Sequence, residues 1–320
     1  MKHALKYLLL VVFSVWLNCN AQDARTLVQE GTELAAKREH AGAIEKYKAA
    51  LKLEPDNSTA NYQMAFSLNA TGKGVDAIPY LQTVVAAGPS ASVTASAYSL
   101  MGSIYDKNRQ PKQAVESYLQ AIKAAPDDYT LHYNIALAYF RARQYAEAEK
   151  SALTVLAADP KHTASLRLYA LVTFHQNKRA PALLALCRFL ALEPNGVSSA
   201  EAYGNLQSIL KGGSLKLVPG EKAPVVDALN KKLNQAITLA VGGVKKGGAT
   251  APLLAKQLSA VFKALGLVLE KQAEPFLSSL ATGYYQLAQA DRMAEFADHI
   301  SQSVDKAAAA RAKASGRQEF

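Results

Sequence analysis

Small and apolar residues recur along residues 24–196 with one fixed phase. An apolar run ends in a proline five times, at Pro55, Pro89, Pro126, Pro160 and Pro194. The residue twelve positions before each proline is always alanine: Ala43, Ala77, Ala114, Ala148 and Ala182. The residue twenty-four positions before is glycine or alanine: Gly31, Ala65, Gly102, Ala136 and Ala170. This agreement predicts five repeats, at 24–57, 58–91, 95–128, 129–162 and 163–196.

The offsets within each repeat predict two α-helices. Small residues are needed where the two helices cross, because a bulky side chain there would cost roughly 1–3 kcal/mol through overpacking. The proline ends the second helix, since it cannot donate the next backbone hydrogen bond. Polar residues after the proline, such as Asp56 and Asn57, can cap the following helix. One helix pair leaves an apolar face bare, so the repeats must stack on one another.

The pattern resembles the tetratricopeptide repeat. Residues 97–126 carry Tyr98, Gly102, Tyr105, Ala114 and Tyr118 in the slots of that family, and residues 131–160 match almost as closely. The resemblance implies an all-α fold, a right-handed superhelical solenoid of helix pairs. Two features depart from the pattern. Three extra residues after Pro89 must loop out or lengthen a helix, and Pro181 falls in the first turn of a second helix, where proline is tolerated.

The chain changes character after the repeats. Residues 198–211 predict one further helix, so the repeat region is 22–211. Glycine and proline then mark a linker at 212–224. Helical spacing resumes in 225–320 and predicts a C-terminal helical region, in which helices at 253–271, 275–289 and 291 to about 314 follow a first one. The last resembles half of a degenerate repeat, so this region is interpreted as degenerate repeats or a cap.

The first 21 residues have the layout of a secretory signal peptide. Lys2 and Lys6 precede an uncharged apolar run at 7–17, and Ala21 ends a plausible cleavage site. That run spans only about half of a hydrocarbon core of roughly 30 Å. We therefore expect an exported protein of the periplasm, the cell envelope or the medium. Membrane association is expected only if Cys19 is lipidated, and Asn18 stands where lipidation needs a small residue.

Composition narrows the class of function. Half of the residues are hydrophobic, so the chain can bury a core. The formal net charge of +10 is interpreted either as ordinary solubility charge or as attraction to an acidic envelope surface or an acidic partner. Export argues against nucleic acid as that partner. Two cysteines cannot form a disulfide scaffold, and Cys187 is interpreted either as a small buried hydrophobe or as a reactive thiol.

Motifs that carry chemistry are missing from the sequence. No two of the six histidines lie within four residues of each other, and HExxH, CxxC and GxSxG do not occur. The glycine-rich stretch 242–248 lacks the lysine–serine or lysine–threonine ending of a phosphate-binding loop. We therefore expect no catalytic residue, no cofactor and no metal, and no enzymatic activity.

The resemblance implies a partner-binding groove formed by the first helix of each repeat. Carried onto this sequence, its positions are Tyr62, Phe66, Asn69, Tyr133, Leu137, Phe140, Arg141, Arg167, Leu171 and Phe174. Aromatic residues supply contact area and arginine anchors acidic groups, which favours an acidic or apolar peptide segment or helix. For Phe140 and Phe174, packing between adjacent helices is an equal alternative.

Two functions follow from these observations. The first is an exported, non-catalytic scaffold that mediates protein–protein interaction through this groove. The alternative is an envelope hydrolase or cell-wall-binding protein with its activity in residues 225–320. A carboxylate pair or a histidine cluster in a pocket of that region would favour the alternative.

Overall fold

The computed structural model describes residues 23–213, 224–244, 253–269 and 274–304, and all regular structure in these residues is α-helical. The chain divides into two compact units between Asp128 and Tyr129. Residues 1–22, which include the predicted signal peptide and Cys19, lie outside the described residues, as do 214–223 of the predicted linker and most of the glycine-rich stretch at 242–248. No helix of the described residues has both the length and the hydropathy needed to cross a membrane.

The first unit consists of three helix pairs. Its helices are α1 (Ala24–Ala36), α2 (His40–Leu53), α3 (Ser58–Ala70), α4 (Gly74–Ala86), α5 (Ala91–Lys107) and α6 (Pro111–Ala124). Helices α1 and α3 have 13 residues, whereas α5 has 17. The extra residues after Pro89 therefore lengthen α5 by about one turn instead of forming a loop.

Small residues lie at the helix crossings, as the spacing predicts. Ala43, Ala77 and Ala114 have no exposed surface. A β-carbon added at Gly102 would lie 2.8 Å from Cε1 of Tyr118, so the tyrosine ring occupies the space that a side chain would need. In the second pair, Ala65 and Leu81 take the corresponding positions of the glycine and the tyrosine, and both are fully buried.

The helix ends follow local rules. Asn57 caps α3, because its Oδ1 accepts a hydrogen bond of 2.9 Å from the backbone N–H of Ala60. A left-handed residue separates the two helices of each repeat: Arg38, Gly72, Arg109, Arg143 and Asn177, with φ between 55° and 80°. Glycine adopts this conformation without strain, whereas the arginines do not. The backbone turn is thus the same in all five repeats, although its residue type varies.

The second unit contains two further helix pairs and the C-terminal helices. Its helices are α7 (Tyr129–Arg141), α8 (Tyr145–Ala158), α9 (Thr163–His175), α10 (Arg179–Leu192), α11 (Ser199–Leu210), α12 (Ala228–Gly242), α13 (Leu253–Leu269), α14 (Pro275–Gln289) and α15 (Met293–Ile300). The helix predicted from residue 291 to about 314 ends earlier, at Ile300. Residues 301–304 form a turn, and the remainder lies outside the described residues.

Helix α10 is the centre of the second unit. Ten of its fourteen residues are buried, because α9, α11, α12, α14 and α15 all pack against it. Apart from Arg179 and Arg188, its sequence, RAPALLALCRFLAL, is apolar, which is typical of a helix with little surface exposed to solvent. The C-terminal helices therefore fold back onto the last repeat.

Polar contacts hold the C-terminal helices to α10 at both of its ends. Asn234 of α12 donates to the backbone oxygen of Asn177 at 2.7 Å and accepts from the backbone N–H of Arg179 at 3.0 Å. His299 of α15 is hydrogen-bonded to the backbone oxygen of Ala191 at 2.9 Å. Asp291, between α14 and α15, adopts the left-handed conformation of the repeat turns. The turn between these two helices thus has the backbone conformation of the turns within the repeats.

Candidate partner-binding surfaces

In the first unit, the predicted groove residues lie on α3 and differ in accessibility. Phe66 is 46% exposed, and the nearest aromatic contact is the ring of His40 at 6.4 Å between centroids. Tyr62 is half-buried, and Ser96 of α5 is close enough to influence its hydroxyl. Burial raises the pKa of Tyr62. Asn69 is half-buried. The ring of Phe66 is therefore accessible, whereas that of Tyr62 packs against the core of the first unit.

In the second unit, Tyr133 and Leu137 lie on α7. The ring of Tyr133 packs edge-on against His162 at 5.3 Å, and Leu137 packs against the core of the unit. Both side chains are half-buried. Burial raises the pKa of Tyr133, although the nearby positive charge of Arg167 acts in the opposite direction. Tyr133 thus lies beside a cation on the next first helix.

Phe140 belongs to a cluster of three aromatic rings from three helices. Its centroid lies 5.5 Å from the ring of His175 and 6.0 Å from that of Tyr145. Tyr145 and His175 stack at 4.8 Å with an angle of 12°. The cluster joins α7, α8 and α9, so Phe140 contributes to packing between helices while it remains half-buried.

The structure corrects the prediction for Phe174. This side chain is only 2% exposed and belongs to the core of the second unit. It fills the space between helices and presents no surface that a partner could reach. Leu171, one turn earlier on α9, is half-buried.

The two predicted arginines lie on different helices. Arg141 is exposed at the end of α7. Arg167 of α9 lies with its Nη1 3.3 Å from Oε2 of Glu201 on α11, and the side chain of Glu201 is 59% exposed. An exposed ion pair of this kind contributes at most about 1 kcal/mol. The pairing of Arg167 with Glu201 therefore contributes little to the stability of the fold.

Sequence reasoning missed a partly buried polar network that joins successive repeats. Nζ of Lys178 lies 2.5 Å from Oε2 of Glu149, and Nε2 of Gln176 donates to the same oxygen at 2.8 Å. In the sequence, the residues of this network are only scattered polar residues on α8 and in the turn before α10. Their convergence depends on the stacking of the helices.

Three features bear on the alternative of an enzyme: the cysteine, the residue types that bind metals, and the lining of the cavities. Cys187 has no exposed surface, and burial raises the pKa of its thiol, which supports its interpretation as a buried hydrophobe. Among the described residues, no group of three or more histidine, cysteine or carboxylate side chains could hold a metal ion. One cavity of the second unit has a single carboxylate, that of Glu274, in the described part of its lining. A neighbouring, more open pocket is lined by two carboxylates, Glu149 and Glu274, of which Glu149 is ion-paired with Lys178 and Glu274 caps α14.

Comparison with solved structures supports the fold. The chain is similar to YrrB, a TPR protein with an unusual peptide-binding site (19% identity, 60% of this chain and 97% of that chain, TM-score 0.53). It is similar to a tetratricopeptide repeat protein from Parabacteroides merdae ATCC 43184 (13% identity, 88% and 99%, TM-score 0.53). It is also similar to MamA from Desulfovibrio magneticus RS-1 (18% identity, 54% and 96%, TM-score 0.50). At these identities the similarity concerns the fold.

Comparison of sequences gives the family. The search of curated proteins found no match. Two family models, both described as tetratricopeptide repeat, match residues 34–103 and residues 100–163 and 133–195. Together these matches span residues 34–195, half of the chain, and the predicted all-α fold class is confirmed. The chain therefore belongs to the tetratricopeptide repeat family.

Proposed function

We propose that this protein is an exported, non-catalytic scaffold that binds other proteins through the first helices of its repeats. Membership of the tetratricopeptide repeat family supports a role in protein–protein interaction. YrrB, a protein of similar fold, has an unusual peptide-binding site. The aromatic and cationic side chains on α3, α7 and α9 are the residues to which we assign that role here.

The observation that carries the proposal is the surface chemistry of α7 and α9. Half-buried Tyr133 and Phe140 present ring surface that needs no rearrangement to be contacted. Arg167 lies beside Tyr133, and its ion pair with Glu201 is exposed. Rigid aromatic rings beside an arginine are the residue types that dominate binding energy at protein interfaces. The partner is accordingly a peptide segment or helix with acidic and apolar residues.

Export is proposed from the layout of residues 1–21. The basic start, the apolar run and the small residues before Gln22 support cleavage there and a location in the periplasm, the cell envelope or the medium. Mass spectrometry of the protein from its native cells tests this. A mature chain that begins at Gln22 supports the proposal, and a diacylglycerol-modified Cys19 would show membrane anchoring instead.

The binding surface is tested with matched triple variants. The surface variant changes Phe66, Arg141 and Arg167 to alanine, and the control changes Val75, Lys112 and Lys150 on the second helices α4, α6 and α8. Each variant removes one large hydrophobic and two cationic side chains, of which Arg167 is half-buried and the others exposed. Proteins from envelope extracts are cross-linked to the native chain and identified. We expect the surface variant to lose partners that the control retains, and loss in both or in neither would contradict the assignment.

A further inference from the structure

The turn between α10 and α11 contains an asparagine that is followed directly by a glycine. Asn195 and Gly196 are the single Asn–Gly pair of the whole sequence. They lie in residues 193–198, which join the end of α10 to the start of α11. Asn195 is exposed, and Val197 after the pair is fully exposed. The pair is therefore in contact with solvent.

An asparagine followed by glycine is chemically more reactive than one followed by any other residue. The backbone nitrogen of the following residue can attack Cγ of the asparagine side chain and close a five-membered ring. A β-carbon on the following residue hinders this attack, whereas glycine has none and adopts more backbone conformations. The sequence thus places the most reactive form of asparagine in an exposed turn.

Packing within the turn favours glycine after Asn195. A β-carbon added at Gly196 would lie 2.9 Å from Oε2 of Glu193 and 3.2 Å from Oγ of Ser199. Ser199 has no exposed surface, and its hydroxyl donates to the backbone oxygen of Glu193. Its backbone N–H donates to the backbone oxygen of Gly196 at 3.0 Å. Glycine therefore has a packing role here that is independent of the reactivity of the pair.

The side-chain amide of Asn195 links the turn to the C-terminal helices. Its Nδ2 donates to Oε1 of Gln302 at 2.8 Å, and Gln302, in the turn after α15, is only 7% exposed. Nε2 of Gln302 lies 3.4 Å from Nδ1 of His299, whose Nε2 lies 2.9 Å from the backbone oxygen of Ala191. Because a carbonyl oxygen only accepts, Nε2 of the neutral His299 ring carries the hydrogen and Nδ1 accepts from Gln302. The hydrogen bonds thus run from Asn195 through Gln302 and His299 to α10.

This series of hydrogen bonds requires a donor at Asn195. A carboxylate in its place has no hydrogen to donate, so two acceptors would face each other across the 2.8 Å that separates Nδ2 from Oε1. Rotation of the Gln302 amide would turn its oxygen toward Nδ1 of His299, which is also an acceptor. Conversion of the amide to an acid therefore breaks the link in either orientation of Gln302. A buried polar group that loses its partner costs free energy.

We infer that Asn195 is a site of spontaneous conversion to aspartate or isoaspartate, which weakens the attachment of the turn after α15 to the end of α10. The backbone nitrogen of Gly196 forms a bond to Cγ of Asn195, and the bond between Cγ and Nδ2 breaks. The hydrogen of the Gly196 N–H leaves with Nδ2 as ammonia, and a cyclic imide remains. One water molecule then adds to either carbonyl of the ring, which opens to aspartate or isoaspartate. Water is the only co-reactant, and the product carries a new negative charge.

Peptide mapping by mass spectrometry tests the reaction. The folded full chain is kept in a mildly alkaline buffer and digested with pepsin at intervals, and the fraction of acid at each asparagine is measured. Asn108 is the internal control, because it is also exposed and its Nδ2 also donates a hydrogen bond, but Arg109 follows it. We expect conversion at Asn195 to be severalfold faster than at Asn108. Equal rates, or no conversion at Asn195, would overturn the inference.

Gly196→Ala tests the role of the glycine. The backbone of Gly196 lies outside the left-handed region, and the atom nearest to the added methyl group is at the flexible end of Glu193, so the variant should fold. We expect Asn195 to be converted severalfold more slowly than in the native chain, because the β-carbon hinders the attack. Conversion at the native rate would refute ring closure through Gly196.

Hydrogen exchange tests the structural consequence. Asn195→Asp carries one product of the reaction from the start, and Gln235→Glu makes the same change from amide to carboxylate at an exposed position of α12. Exchange of the backbone amides is measured in residues 293–302. We expect it to be at least about fivefold faster in Asn195→Asp than in the native chain, because buried Gln302 loses its partner, and unchanged in Gln235→Glu. Native exchange in Asn195→Asp, or equal acceleration in both variants, would show that the hydrogen bond does not hold the turn.

Discussion

Gly102 tests whether close helix crossings hold the repeats together. A β-carbon at this position would lie 2.8 Å from Cε1 of Tyr118 and 2.9 Å from Cδ1. Carbon atoms in good contact are about 3.5–4.0 Å apart, so Gly102→Ala forces the ring to move by roughly 0.7 Å. The ring is 4% exposed and has little room to move. Its displacement should separate α5 from α6.

Two opposing effects determine how much Gly102→Ala changes the free energy of unfolding. Overpacking costs about 1–3 kcal/mol, while alanine in a helix interior gains about 1 kcal/mol over glycine. Gly42→Ala in α2 is the control in the same unit, because its β-carbon would lie 3.4 Å from Cδ1 of Leu34, an ordinary contact. The free energies of unfolding of the two variants should therefore differ by about 1–3 kcal/mol, with Gly102→Ala the less stable.

Urea unfolding followed by circular dichroism measures this difference. A double variant, Gly102→Ala with Tyr118→Leu, recreates the Ala65 and Leu81 combination of the second repeat. We expect it to be more stable than the sum of the single changes by about 1–3 kcal/mol, because leucine leaves space for the methyl group. If Gly102→Ala stabilises the chain as much as Gly42→Ala does, or if the two changes are additive, the packing argument is wrong.

Three further predictions concern backbone strain, thiol burial and pH. Because Arg109 and Gly72 both have positive φ, Arg109→Gly should raise the free energy of unfolding by up to about 1 kcal/mol, and Gly72→Ala should lower it by about 1 kcal/mol. Urea titrations measure both changes, and changes of the opposite sign would contradict backbone strain at these positions. Because the side chain of Cys187 is fully buried, it should resist alkylation by iodoacetamide in the folded chain and react after unfolding. Peptide mapping by mass spectrometry measures this, and rapid alkylation of the folded chain would refute the prediction. Burial raises the pKa of Tyr118 from 10.0 to about 12, so the stability from its neutral form is present below pH 10 and is lost as the pH rises toward 12. Stability measured across this range should fall less in Tyr118→Phe than in the native chain, and an equal fall would contradict the assignment.

The candidate surface was predictable only in part. The positions of Phe66, Tyr133 and Arg167 on first helices followed from the repeat phase. The burial of Phe174 and the aromatic cluster of Phe140 did not, because each depends on how far one helix lies from the next. The position of a residue within a repeat predicts which helix face it occupies, but it does not predict how deeply the neighbouring helix covers that residue.

The sequence by itself determined the period, the helix pairs and the family, since these depend on contacts within about 34 residues of each other. Asn57 as a cap and the small residues at the crossings are examples. Only the tertiary structure decided that α12, α14 and α15 fold back onto α10 and that α14 covers a cavity beside α8 and α10. The largely apolar sequence of α10 is typical of a covered helix. It did not indicate by which helices, because burial of apolar surface is not directional and many partners satisfy it equally well.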